Sequence, residues 1–533
     1  MRPNRIGIMA ILTLLFALAL VSNAATSAAQ ELAAKQEVRI GAVSGDIGTL
    51  DPHGPVIGAD YGPIQHIYGA LVRTPIGDSL GDYQPYLAES WEVSADSKIW
   101  TFKLKKGVEW HNDFGEVTAE DVAYSFNRVM KGKTSKWTGD YASFNEVKAL
   151  DPYTVQFTTK GPDAYFLSKV SIDYGGYIVC KKAVEKADAF DSQLKPNAQQ
   201  IVGFGPFAFE SYKSKVGVVL KRNDDFLGGK PIIEKLTYKF IPESGARELA
   251  LINGEVEAIL GLYDSKWLKY MVESGAVLEP QGPKAVHAIY FNLTQKPFDN
   301  KKVRQAFYHA TGQEPIIQMQ GDLIAQACTS PVLTGVEGHI DAGWAEYKHD
   351  PAKAKKLLAE AGFPDGFKTK MFIHKGWWYY DKIVLYQNLL KNVGIDLELM
   401  IVDIPVYYEK IRQDLNPVVI WGTKYPLPTQ WLRRYYHSDS IVGKPTAMLN
   451  FSHFSNPKVD ELIEIAEVTM DKQKRIAAIE EAQKIIVNEL VSFPCAEIDF
   501  PKLRNKWFDL GYTPKNTHLD TYEVGVKTRI LKH

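Results

Sequence analysis

Residues 91–129 carry the pattern that most narrows the folds open to this chain. Two runs of alternating polar and apolar side chains flank Ser94-Ala95-Asp96-Ser97, the mark of a hairpin with a polar turn. Thr118-Ala119-Glu120-Asp121 then gives a helix-capping signal, and Val122, Phe126 and Val129 fall on one face of the helix that follows. A strand pair followed by a helix is therefore the local unit. The same grammar recurs along the chain. Residues 37–42 (EVRIGA) alternate like a strand, and a Gly- and Pro-rich loop reaching Tyr61 follows the turn at Thr49-Leu50-Asp51-Pro52. Strands run from Gly203-Phe204-Gly205-Pro206, read as a structural turn, to Phe240, broken by the turn cluster 223–231. Asp299, Asp350-Pro351 and Asn456-Pro457 each open a helix, and Gly362 closes the second of them. Residues 471–490 form a long amphipathic helix with a charged, solvated face. Strands and helices alternate throughout, so the fold class is α/β.

A chain of 533 residues exceeds what one core usually supports, so at least two lobes are expected. No low-complexity linker or solenoid repeat divides it, which favours lobes joined by several strand-like crossings over tethered domains. Lys plus Arg (62) nearly balance Asp plus Glu (63), leaving no global field for nucleic acid or an acidic membrane. The three cysteines, Cys180, Cys328 and Cys495, match no metal or redox spacing and read as buried thiols. The twelve histidines show no paired ligand spacing, so neither a metal nor a cofactor is expected.

The start reads as a secretory signal peptide over residues 1–29. Arg2 and Arg5 precede an uncharged apolar run from Ile6 to Val21, too short for the roughly 20 residues that span a bilayer core. Ala24 and Ala29 both close plausible small-residue cleavage sites, and no cysteine nearby offers a lipid acceptor. A freely diffusing periplasmic protein is the expectation.

Four ordered blocks carry a family resemblance over nearly the whole mature chain. They are residues 83–130 (YQPYLAESWEVSADSKIWTFKLKKGVEWHNDFGEVTAEDVAYSFNRVM), 203–260 (GFGPFAFESY, RNDDFLGGKP, ARELALINGEVEAIL), 291–317 (opening FNLTQKPFDNKKVRQAF) and 349–367 (HDPAKAKKLLAEAGFPDGF). These blocks resemble the family 5 extracellular solute-binding proteins of oligopeptide, dipeptide and nickel importers. Thr311-Gly312-Gln313-Glu314 departs from the family's usual Ile-Asp-Arg-type segment. The resemblance implies a two-lobed, type II clamshell with an extra subdomain in the first lobe. Lobe 1 would span 36–283 with its inserted subdomain at about 53–200, lobe 2 would span 284–495, and 496–533 would return to lobe 1. Hinge crossings would fall near Gly282-Pro283 and Phe493-Pro494, and a monomer would close on its ligand and present it to a membrane permease.

The resemblance also points to ligand chemistry. In peptide-binding members a Trp is followed three residues later by an Asp that pairs with the peptide's amino terminus. Here Trp421 keeps the aromatic, Gly422 and Thr423 follow, and Lys424 stands at the Asp position. An ammonium in place of a carboxylate repels a free N-terminus. No acid lies between Trp421 and Ser438, while Arg433 and Arg434 add two cations suited to a carboxylate, sulfonate or phosphate. The alternative for each is an ordinary surface cation. Four successive aromatics, 377–380, cannot all face one core, so Trp377 and Trp378 are candidate ring contacts as well as candidate core residues. On the facing lobe, the loop at 57–61, with Gly58, Asp60 and Tyr61, and the residue Tyr141 are brought in by resemblance alone.

No phosphate-loop, zinc-protease, Cys-x-x-Cys or nucleophile-elbow pattern occurs, so the chain is expected to bind without catalysis. The expected function is capture of a small or medium polar solute, anionic or ring-containing, for an ABC importer. A peptide binder of the same family and a secreted hydrolase on the same scaffold are the alternatives.

Overall fold

The computed structural model describes residues 31–533 apart from 55, 57, 134, 136–137, 173–174, 281–283, 376–378, 424–426, 444–448 and 517–521. Among the described residues the first lobe is built on a seven-stranded sheet whose centre is the strand Glu37–Ala42. That strand runs parallel to Lys235–Phe240 on one side and to Ala258–Leu260 on the other. Val38 and Ile40, two residues apart, are buried on its covered face. The late strand Lys502–Arg504 enters this sheet antiparallel to both Ala258–Leu260 and Val277–Leu278. The C-terminal chain thus returns to the lobe that the N-terminal chain began.

A second sheet of four strands, made from residues 88–159, has its own aromatic core around Trp100, Phe102, Phe157 and Phe166. Its first hairpin pairs Ala88–Val93 with Ile99–Leu104, and the Ser94 hydroxyl accepts from the Ile99 N–H to close the polar turn. The helix Ala119–Lys131 has the capping box that residues 118–121 promised, with Asp121 accepting from the Thr118 N–H. Gly203 and Gly205 let this subdomain meet the first lobe closely. A Cβ on Gly203 would lie 1.9 Å from the carbonyl oxygen of Ile67, so no side chain fits there.

The second lobe carries a four-stranded sheet ordered Ala325–Gln326, Ser492–Ile498, Ala285–Phe291 and Val418–Thr423. Every residue of Ala285–Phe291 and of Ser492–Ile498 is buried, as suits strands covered on both faces. A parallel pair, Phe367–Ile373 and Ile395–Ile401, lies beside it. Helices opened by Asp350 and Asn456 start where the capping signals fall, each cap side chain accepting from the first turn. The helix Lys301–Thr311 is capped by Asn300, one residue beyond the expected Asp299, because the Asn300 amide oxygen accepts from the Lys302 N–H.

Two further expectations are corrected. Residues 58–61 are not loop but the opening of the helix Gly58–Ile67. Gly58, Gly62 and Pro63 weaken its local signal, and the buried Ile64 and Ile67 hold it against the first lobe's core. Phe493 and Pro494 sit inside the strand Ser492–Ile498, and the chain changes sheet at residues 499–501; Gly282 and Pro283 lie outside the described residues. The three cysteines are free and buried.

Candidate functional site

The strand Val418–Thr423 is the edge of the second lobe's sheet, antiparallel to Ala285–Phe291, with Trp421 opposite Ala288, Gly422 opposite His287 and Thr423 opposite Val286. Trp421 is only partly buried, and aromatic rings support it from behind. Tyr407 lies nearly parallel to its ring at 6.5 Å, Tyr408 stands edge-on at 6.1 Å, and Phe451 is tilted at 5.6 Å. The Tyr407 hydroxyl donates to the Ile420 carbonyl, locking the helix Ile404–Arg412 to this strand. Such a backing fixes a ring's orientation before any ligand arrives, which lowers the ordering cost of stacking on it. Lys424, Trp377 and Trp378 lie outside the described residues.

On the other face of the sheet, next to Gly422, His287 is fully buried, its ring edge-on to Tyr379 at 6.1 Å. Three residues on, in the first turn of the helix Tyr380–Lys391, Lys382 is 1% exposed. Burial pushes its ammonium down to about 8, and burial followed by the charge of Lys382 holds His287 well below the ordinary histidine value. Lys382 thus lies near enough for its charge to act on His287, the residue opposite Gly422. Neither Lys382 nor His287 stood out in the sequence, since nothing local marks a lysine that tertiary packing buries.

The two arginines have specific partners. They sit on the helix Pro428–Tyr436, which begins soon after the Trp421 strand ends. Arg433 makes a two-pronged contact with Glu467, Nε to Oε1 at 2.6 Å and Nη2 to Oε2 at 2.7 Å. Arg434 reaches out of its own lobe and donates from Nη2 to Oδ1 of Asp140 at 2.8 Å. The same oxygen accepts from the side-chain amide of Gln430 at 3.0 Å. The acids missing from residues 421–438 are thus supplied from elsewhere in the chain, one from the facing lobe. Two more contacts run along that rim. The Ala164 N–H donates to the carbonyl of Glu467, and Glu337 accepts from both Arg475 and the Tyr165 hydroxyl. Sequence gave no sign of these pairings, because their members lie far apart in the chain.

The first lobe's candidates are engaged inside their own lobe. Asp60 is fully buried and accepts from the N–H groups of Gly48 and Thr49, pinning the turn after the first strand. Tyr61 is partly buried against the first lobe's core, and Gly58 opens the same helix. Tyr141 is buried between Phe126 and Phe144, and its hydroxyl donates to the Lys169 carbonyl. Burial raises its phenol above the ordinary tyrosine value, so it holds its proton.

A two-lobed α/β protein, with a backed aromatic at one lobe's sheet edge and ionic contacts along the rim, is a ligand-enclosing clamshell. A profile of the family "Bacterial extracellular solute-binding proteins, family 5 Middle" matches residues 82–442, and the chain belongs to this family. It is 28% identical over 471 residues to a Heme-binding protein A from Haemophilus influenzae, covering 81% of this chain and 82% of that one. A dipeptide-binding protein of Escherichia coli is 27% identical over 450 residues, covering 79% and 81%. Among solved structures, the periplasmic binding protein MoaA of A. tumefaciens R10, in complex with mannopinic acid, superposes with a TM-score of 0.82 at 34% identity, covering 94% of this chain and all of that one. The chain is the solute-binding subunit of an ABC importer, a carrier of small solutes or peptides to the permease. Among the described residues no helix is long and apolar enough to cross a membrane.

Proposed function

We propose that this protein captures a carboxylate-bearing polar solute, an organic acid of the kind MoaA holds, in the periplasm after removal of residues 1–29. The observation that carries this reading is electrostatic. Lys424 stands where peptide-binding members place the carboxylate for a free ammonium, whereas the charges of Arg433 and Arg434 are offset by Glu467 and Asp140. The buried Lys382 adds a cation close to His287, the residue opposite Gly422. An anion gains from this field and a peptide's amino terminus loses, by the same Coulomb argument. The 34% identity to the mannopinic acid complex supports the same choice.

In this reading Trp421, Gly422, Thr423 and Lys424 form the second lobe's ligand face, and Trp377 and Trp378 supply ring contacts. Gly58, Asp60, Tyr61 and Tyr141 shape the first lobe's wall through their backbone and packing. The lobes divide at about residue 283 and again at 499–501, where the chain changes sheet; the protein acts as a monomer, and it releases its ligand chemically unchanged. Closure follows from differential affinity, since a solute touching both lobes binds the closed form more tightly and shifts the population towards it.

Calorimetric titration of the mature protein with mannopinic acid, agropinic acid and the dipeptide Met-Leu tests the proposal. Saturable binding of an acid, with the dipeptide failing to compete, is the expected outcome. Tight Met-Leu binding with no response to either acid would replace it with the dipeptide reading, and steady product formation from any of them would replace it with catalysis. The variant Lys424→Asp is expected to weaken acid binding about tenfold or more, the loss of a charge-assisted contact. Unchanged acid affinity would remove Lys424 from the site.

A further inference from the structure

Asp140 holds an unusual position among the acids of the first lobe. It lies just ahead of the strand Phe144–Asp151 of the subdomain sheet, and it accepts from two side chains of the other lobe at once, Gln430 and Arg434. These two are four residues apart on the helix Pro428–Tyr436 and so share one face of it. That helix follows directly on the segment that carries Lys424. A single carboxylate of lobe 1 therefore grips the element that positions the ligand-facing segment of lobe 2. Arg434 and Asp140 are each 22% exposed, so the pair is shielded enough to matter and wet enough to break.

We propose that Asp140 is a closing catch, a positioning residue that binds the helix of Gln430 and Arg434 when the lobes meet and thereby sets how often the cleft is shut. The contact exists only between lobes, so it stabilises the closed form and contributes nothing to an open one. Its strength adds to any solute's differential affinity without depending on which solute that is. Two other contacts, Ala164 with Glu467 and Tyr165 with Glu337, also join the lobes, so the catch works alongside them. The inference rests on the clamshell and not on the identity of the ligand.

The test uses ligand-free mature protein carrying Lys148→Cys and Lys484→Cys, one exposed label site on each lobe, and pulsed electron paramagnetic resonance to read the inter-lobe distance. The buried native thiols stay unlabelled under native conditions. Asp140→Asn, and separately Arg434→Gln, should lower the closed-to-open ratio by about three- to tenfold, the range expected of a partly shielded charge-assisted contact. Asp140→Glu should retain most of it, and the exchanged pair Asp140→Arg with Arg434→Asp should restore it. The wild-type ratio should fall between low and high ionic strength, and that of Asp140→Asn should barely respond. The urea midpoint of Asp140→Asn should stay at the wild-type value, which separates a catch from a merely structural acid. Distance distributions shared by wild type and both single variants, or an exchanged pair no more closed than either single variant, would overturn the proposal. No solute is added, so this result is independent of whether the cleft takes an organic acid or a peptide.

Discussion

Arg128 and Arg434 each meet an aspartate, and they do opposite things. Arg128, on the capped helix of the subdomain, is 2% exposed beside an Asp51 that is 0% exposed. Its guanidinium donates to both Asp51 oxygens and to the carbonyls of Ala189 and Ser192, and it also meets His53 Nδ1. Burial alone would raise the Asp51 carboxyl, and the hydrogen bonds and charge of Arg128 outweigh it and hold the group below the ordinary carboxylate value. Arg434 donates to Asp140 at 2.8 Å across a rim that water reaches. The difference teaches where each sits in the protein's working cycle. A fully desolvated, fully satisfied pair fixes a loop permanently, because undoing it strands a buried charge. A half-wet pair between lobes is cheap to break, which a carrier that must open requires.

The comparison breaks most visibly at the buried end. Arg128→Ala leaves Asp51 buried without its cation, and the expected loss is about 3–5 kcal/mol of unfolding free energy, read from urea denaturation of the first lobe. A loss below about 1 kcal/mol would place the two arginines in the same class and remove the contrast.

The same lobe should also respond to acid. His53, His66 and His111 are buried, and burial lowers each from 6.5 to about 4, with the charge of Arg128 adding to the effect on His53. His66 shows why: its Nε2 accepts from the Val524 N–H while its Nδ1 faces the Gly62 carbonyl, so the neutral ring already satisfies both partners. Between pH 6.5 and 4 the unfolded chain binds a proton at each of these residues and the folded chain does not. Stability is therefore complete above pH 6.5, falls as pH drops towards 4, and loses nothing further from these groups below that. Each contributes a slope of up to about 1.4 kcal/mol per pH unit inside the window. Asp51, whose carboxyl is lowered, is lost only below the ordinary carboxylate range and so does not confuse the reading. Urea midpoints from pH 7 to 4.5 check this, and His66→Gln should flatten the slope by one proton. An unchanged slope would mean that His66 titrates alike in both states.

Much of the scaffold was legible because its signals are local. Thr118 and Asp121, Asp350 with Pro351, and Asn456 with Pro457 satisfy N–H groups within a turn of themselves, so their chemistry is visible in a few letters. Residues 58–61 were misread for the converse reason, since Gly58, Gly62 and Pro63 argue against a helix that packing nevertheless imposes. At the site, Trp421 was readable, and its strand and its supports Tyr407, Tyr408 and Phe451 were not. The acids facing Arg433 and Arg434 stand 34 and 294 residues away, pairings that only the folded chain creates. The arginines' charge was evident in sequence, and their partners had to be found in space.

The smallest expected effect sharpens the comparison most. Arg433 and Arg434 are adjacent, similarly exposed and each paired with one acid, yet Glu467 belongs to the same lobe and Asp140 to the other. Arg433→Gln should cost up to about 1 kcal/mol in the unfolding of the second lobe, because its pair joins two helices that unfold together. It should leave the open form's shape as it is. Arg434→Gln should cost less than that in unfolding, since its partner is already lost when the lobes part, and its effect should appear instead in the inter-lobe distance. Unfolding of each single variant and of the double variant, read by the same urea titration, distinguishes the two roles. If Arg434→Gln destabilised the second lobe as much as Arg433→Gln, the rim pair would be holding the fold and not the closure.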